Sequence, residues 1–131
     1  MIRVTVTTEA FDAGDQLVAL STNGVGAVAS FFGFVRGDGG LAALTLEHYP
    51  AMTNAVLHGL AEEAMQRWAL AGVTLHHRIG RLVPGDAIVF VGTAAPHRAA
   101  ALAACAFLID RLKIDAPFWK HESYRDGRNH W

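Results

Sequence analysis

A single cysteine, Cys105, stands among the 131 residues. An internal disulfide and a thiolate-rich metal cluster are therefore both excluded. Placed mid-helix among alanines, Cys105 reads as a buried, inert thiol rather than a nucleophile. Charge is sparse too: charged residues make up 18% of the chain and the net charge is −1. No global basic field exists to gather nucleic acid, so any anion site has to be local. Runs of eighteen apolar residues are missing, and the opening Met-Ile-Arg-Val-Thr-Val alternates like a strand instead of resembling a signal peptide. No membrane span is expected, and a cytoplasmic home is. The Gly-x-Ser-x-Gly elbow, the phosphate-binding Walker loop and the dinucleotide fingerprint are all lacking. Metal binding finds no support either. His76 and His77 are adjacent on a strand and face opposite ways, and no histidine pair has i, i+4 spacing with a third partner. No metal or cofactor is expected.

What the chain does have is apolar bulk. Hydrophobic residues make up 52%, enough for one domain spanning 1–131 and a surplus suited to a subunit interface. Ile2 to Thr7 alternates as a half-buried strand, and Phe11 to Leu20 reads as a short helix capped by Asp12 or Asp15. Val25 to Val35 is nearly continuous and apolar, the pattern of a strand buried on both faces. Gly37-Asp-Gly-Gly40 is a loop, and Leu41 to Tyr49 a strand with Leu44, Leu46 and His48 on one side. A helix is predicted over Thr53 to Leu70, with Gly72 as its stop signal. Val73 to Leu82 and Ala87 to Thr93 read as strands joined by a type II turn at Val83-Pro-Gly-Asp86. A last helix runs from His97 to Lys113, with Leu102, Ala106, Ile109 and Leu112 on its buried side. Helices and strands mix without strict βαβ alternation, so the fold class is α+β.

The candidate chemistry is cationic. In Lys113-Ile-Asp-Ala-Pro-Phe-Trp-Lys120-His-Glu, Pro117 pushes Ala116 out of the helical region, so one lysine ends a helix and the other lies on an extended segment. The aromatics between them can wall a pocket for an anion. Pro96-His97-Arg98 opens the same helix, where free amides favour anions although cations oppose the dipole. Arg36 leaves a core strand beside the glycine loop. Glu47 and His48 are strand neighbours on opposite faces and cannot share one catalytic cluster. The start and end of the last helix stand roughly 22 Å apart at about 1.5 Å per residue. A small ligand cannot span that, so the two ends do different jobs or meet across two copies of the chain, as a two-fold dimer allows.

Phe31 through Arg36, Leu44-Thr-Leu-Glu-His-Tyr-Pro50 with Met52, His77-Arg-Ile-Gly80, Pro84-Gly-Asp-Ala-Ile-Val-Phe-Val-Gly92, His97-Arg98 and Lys113 through Glu122 occur in order. Together they resemble the MoaE family, the large catalytic subunits of molybdopterin synthase. The resemblance implies an α/β-hammerhead fold with a mixed or antiparallel sheet and two main helices. It also implies a homodimer, each protomer binding a small ubiquitin-like (MoaD-like) carrier whose C-terminal Gly-Gly ends in a thiocarboxylate, to give a heterotetramer. The implied reaction is a sulfurtransferase reaction that converts cyclic pyranopterin monophosphate to molybdopterin, in molybdenum cofactor biosynthesis. By the same resemblance, Lys113 and Lys120 are the catalytic residues. Arg36 and Phe31 line their pocket, while His97 and Arg98 come from the neighbouring protomer. Two departures stand out: the Gly37 to Ala43 loop is short for the family, and the chain stops at Trp131 where relatives often run on. Two other readings stay open at this point. One is a non-catalytic dimeric module that docks a ubiquitin-like sulfur carrier, the other an unrelated α+β enzyme acting on a phosphorylated metabolite.

Overall fold

A computed structural model describes all 131 residues. Eight strands form two four-stranded sheets. The first takes β1 (Ile2–Thr7), β4 (Gly72–Arg78), β6 (Ala87–Ala95) and β2 (Ala27–Phe34) in the order β1-β4-β6-β2. β1 runs parallel to β4, and the other pairs are antiparallel. The second, wholly antiparallel sheet has the order β5-β3-β7-β8, from β5 (Gly80–Leu82), β3 (Leu41–Glu47), β7 (Trp119–Tyr124) and β8 (Asn129–His130). The α+β expectation holds.

Three helices cover the first sheet. α1 (Ala13–Leu20) is capped by Asp12, whose carboxylate accepts from the Asp15 amide at 3.0 Å. It seats Leu20 and Phe11 against Phe90 and Ala94 on one face. Gly92 makes that seat possible, since a Cβ there would fall 2.4 Å from Leu20 Cδ1. α2 (Pro50–Trp68) and α3 (Arg98–Asp115) cover the other face, packing Leu57, Leu60, Leu108 and Leu112 on Val73, Leu75 and Val91. Period-2 alternation thus sorts β4 cleanly: Val73, Leu75 and His77 face α2 and α3, whereas Thr74, His76 and Arg78 face α1.

Several boundaries shift for physical reasons. α2 starts a turn before the predicted Thr53, because Pro50 occupies N1, where no amide hydrogen is needed. It ends at Ala69, which adopts φ 50°, ψ 50°, and Gly72 instead opens β4. The predicted strand Val73 to Leu82 breaks at Gly80 (φ +82°), and its halves join different sheets. The Val83–Asp86 turn forms as expected, with Gly85 at φ +97° and the Asp86 amide donating to the Val83 carbonyl at 3.0 Å. It carries the chain from the second sheet back to the first rather than closing a hairpin. β2 lies at the sheet's edge and is not buried along both faces: Ser30 and Phe31 are exposed, and Phe34 is 59% exposed. On α3 the buried stripe is Ala101, Ala104, Cys105, Leu108 and Leu112, so predicted core residue Leu102 points outward at 62% exposure.

Ala69 is the one non-glycine residue with positive φ. Its methyl group pays a steric penalty of about 1 kcal/mol that glycine avoids. Ala69→Gly is expected to raise the unfolding free energy measured by urea titration by at most that order, net of the entropy glycine adds to the unfolded chain; a lower value would show that αL strain is not what limits this cap.

Candidate active site

Lys113 and Lys120 are the only lysines in the chain; the other nine cationic side chains are arginines. Both line a single cavity of about 510 Å³. Each reaches it from a different layer. α3 carries Lys113 in its last turn, where a cation also complements the helix dipole. β7 carries Lys120, paired in register with Leu46 of β3. Between them the chain turns sharply: Ala116 is extended (φ −64°, ψ 120°), as a residue before proline prefers to be. The Phe118 amide donates to the Ala116 carbonyl at 2.9 Å, closing a tight three-residue turn around Pro117.

The cavity wall is chiefly apolar. Phe31, Val89 and Val91 of the first sheet face Leu44 and Leu46 of the second. Asp110, one helical turn before Lys113, is its only carboxylate. None of the five ion pairs uses a lysine. Arg36, Arg78, Arg111 and Arg128 take their carboxylate partners, while Lys113 and Lys120, both exposed at the cavity's rim, have none.

Of the sequence-predicted residues, Lys113, Lys120 and Phe31 meet here. Arg36 does not line the cavity; it is exposed at the start of the glycine loop, 3.4 Å from Asp38. That loop forms a single 3₁₀ turn, Asp38–Gly40. His97 caps α3 with extended backbone and no side-chain cap bond, and Arg98 is the helix's first residue. Both are exposed at the end of α3 remote from Lys113, so within one chain they do not reach the lysines.

His77 was missed as a site residue. The strand alternation that excludes a metal pair with His76 is the same geometry that turns His77 into this cavity. Its Nδ1 donates to the Arg78 carbonyl at 2.8 Å, which assigns the remaining proton and leaves Nε2 as an acceptor without a protein partner. Burial pushes its pKa down to about 4, with the positive influence of His48 and His76 adding to the fall and the Arg78 bond opposing it. His48 donates from Nδ1 to Thr53 Oγ1 at 2.9 Å, since that hydroxyl gives its own proton to the Tyr49 carbonyl at 3.0 Å. Cys105 offers no nucleophile: burial raises its thiol to about 11, and it sits 4.0 Å from the Val91 carbonyl.

This is a small two-sheet α+β protein whose only two lysines converge on an apolar cavity that holds no reactive thiol. A family model described as "MoaE protein" matches residues 6–115, and the chain belongs to the MoaE family. It is 51% identical over 123 residues to the molybdopterin synthase catalytic subunit of Pseudomonas aeruginosa, an alignment covering 90% of this chain and 82% of that one. The Cereibacter sphaeroides catalytic subunit is 48% identical over 129 residues, covering 96% and 88% of the two chains. Among solved structures, the Burkholderia ambifaria MoaE protein superposes with a TM-score of 0.89 at 44% identity, over all of this chain and 88% of that one. Molybdopterin synthase from Staphylococcus aureus gives 0.88 at 28% identity, covering 97% and 96%.

The buried imidazole of His76 and the half-buried one of His77 have a consequence for acid stability. His76 is 9% exposed, packs on the Phe11 ring at 4.5 Å, and burial lowers its pKa as well. Both rings stay neutral in the folded protein but take up protons in the unfolded chain below about pH 6.5. Their contribution to stability is therefore complete above pH 6.5 and declines below it, that of His77 being lost as pH falls through about 4. Urea titrations of the wild type and His77→Phe across pH 4 to 7 are expected to show a shallower decline in the variant. Identical slopes would mean that His77 takes up its proton equally in the folded and the unfolded chain.

Proposed function

We propose that this chain is the catalytic subunit of a molybdopterin synthase, a cytoplasmic sulfurtransferase of molybdenum cofactor biosynthesis. It moves two sulfurs, one after the other, from the thiocarboxylated C-terminus of a small ubiquitin-like carrier into cyclic pyranopterin monophosphate. The observation that carries this reading is the pair of unpaired lysines at one apolar cavity in a chain with no thiol fit for nucleophilic work. An enzyme whose sulfur nucleophile arrives on a partner needs to supply charge and orientation, not a cysteine.

Lys113 is the group nearest the thiocarboxylate and the reacting carbons, acting as acid–base or electrostatic stabiliser, and Lys120 assists. Lysine suits that work as a compact point charge with three rotatable donors on a flexible stem. The carrier's tail enters as an extended peptide held partly through its backbone. Phe31 walls the pocket. Arg36, with His97 and Arg98 from a neighbouring protomer, grips the phosphate and pterin, using the bidentate fork of each guanidinium. The exposed Leu102 on α3 and Phe34 at the open edge of β2 give a second copy apolar surface to cover, which fits a homodimer. The S. aureus neighbour is itself described as molybdopterin synthase, which supports the reading.

Purified protein mixed with thiocarboxylated carrier and cyclic pyranopterin monophosphate is expected to yield the dithiolene product. Carrier binding without product would identify a docking module instead, and absence of carrier binding would point to a different enzyme. Lys113→Ala is expected to lower turnover by about 10³-fold or more while leaving the fold intact. Near-normal turnover would remove Lys113 from the chemistry. In mixtures of Arg98→Ala and Lys113→Ala chains, heterodimers carry one intact composite site, so activity should return; no recovery would count against a pocket shared between copies.

A further inference from the structure

Phe118 sits between the two lysines in sequence and at the meeting point of the two sheets in space. Its side chain packs against the core of the second sheet, formed by Val35, Leu46 and Leu82. The His77 ring, on the first sheet, lies tilted against it at 4.2 Å between centroids with 32° between planes. His48 approaches the same ring at 6.1 Å, from the end of β3. The imidazole of His77 cannot swing freely, because its Nδ1 is held by the Arg78 carbonyl. A ring held on β4 therefore packs against the residue that immediately precedes the strand bearing Lys120 and ends the turn leaving Lys113.

An aliphatic side chain would fill this place without the cost of burying an imidazole. A residue that breaks the local preference in this way, on the wall of the reactive cavity, marks a site constraint more than a packing choice. We propose that His77 is a positioning residue, which fixes the separation of Lys113 and Lys120 by stacking on Phe118. It acts through that ring and takes no part in bond making. The charged groups sharing its cavity are Lys113 and Lys120 on one side and Asp110 on α3. A neutral ring there holds the turn without adding a third cation to the pair. The inference rests on the catalytic reading above for its effect on turnover, but not for its effect on the lysines.

Two volume-preserving variants separate stacking from simple filling. His77→Leu keeps bulk and loses the aromatic face, whereas His77→Phe keeps the face and loses both nitrogens. Turnover with thiocarboxylated carrier and cyclic pterin is expected to fall about 10- to 100-fold in His77→Leu, the scale of a misplacement near 1 Å. The loss should fall in kcat with KM little changed, and His77→Phe should recover most of it. Phe118→Leu should match His77→Leu, and the double variant should be no worse than either, because both remove one contact. Since the chain has only two lysines, their Nζ resonances in ¹⁵N-lysine spectra are two signals that report the pair directly. Both should shift in His77→Leu and return in His77→Phe. Wild-type turnover in His77→Leu, additive losses in the double variant, or a His77→Phe protein as impaired as His77→Leu would overturn the proposal. If the wild type makes no dithiolene, the catalytic reading fails, and the lysine spectra still decide whether His77 sets the pair.

Discussion

Three residues join the two layers of this protein at the cavity. α3 packs on the first sheet and β7 belongs to the second, and only Ala116, Pro117 and Phe118 lie between them. One backbone hydrogen bond around Pro117 and the burial of the Phe118 ring keep that joint compact. Were the joint looser, Lys113 and Lys120 would be two surface cations on unrelated elements. With it closed, they share one apolar cavity. Layer packing alone does not produce this, because the sheets contribute their own walls, Val89 and Val91 on one side and Leu44 and Leu46 on the other.

The choice of cation sharpens the point. Arginine does the structural work of charge here: Arg111 bridges Glu63 on α2 and Asp115 on its own helix, and Arg128 ties the last hairpin to Asp126. Such exposed pairs each contribute little, usually below about 1 kcal/mol. Arg67 and Arg111 also lie over the Phe107 ring, where a planar guanidinium packs well. Lysine is reserved for the cavity, where a compact ammonium on a flexible stem offers three rotatable donors to a ligand. A general need for positive charge would have been met by either residue.

Much of this was legible in the sequence because the signals were local. Pro117 announced the end of α3, the Pro84-Gly85 pair its turn, and the period of α2 its buried face. What escaped was decided by partners distant in the chain. Nothing within Val73 to Leu82 says that Gly80 passes the strand from one sheet to another; that depends on β3 being available to receive β5. Val25 to Val35 looked buried on both faces because composition records hydrophobicity, not coverage, and Ser30, Phe31 and Phe34 of β2 lie exposed. His77 was discounted for the same reason. Read beside His76 it was a failed metal ligand, while its true companion, Phe118, lies 41 positions along the chain.

The dipole of α3 separates the cations it carries. Lys113 sits in the final turn, where the helix's partial negative charge already favours an ammonium, so its position has a structural explanation independent of any ligand. Arg98 sits at the other end, against partial positive charge and beside an exposed His97, with no carboxylate within ion-pairing distance. Lys120, on a strand, feels no such dipole at all. The fold therefore accounts for one of these three cations and leaves two unexplained. A bound anion would repay both, and it would do so in one place only if the N-terminal end of α3 from one chain met the cavity of another, since about 22 Å of helix separates them within a chain.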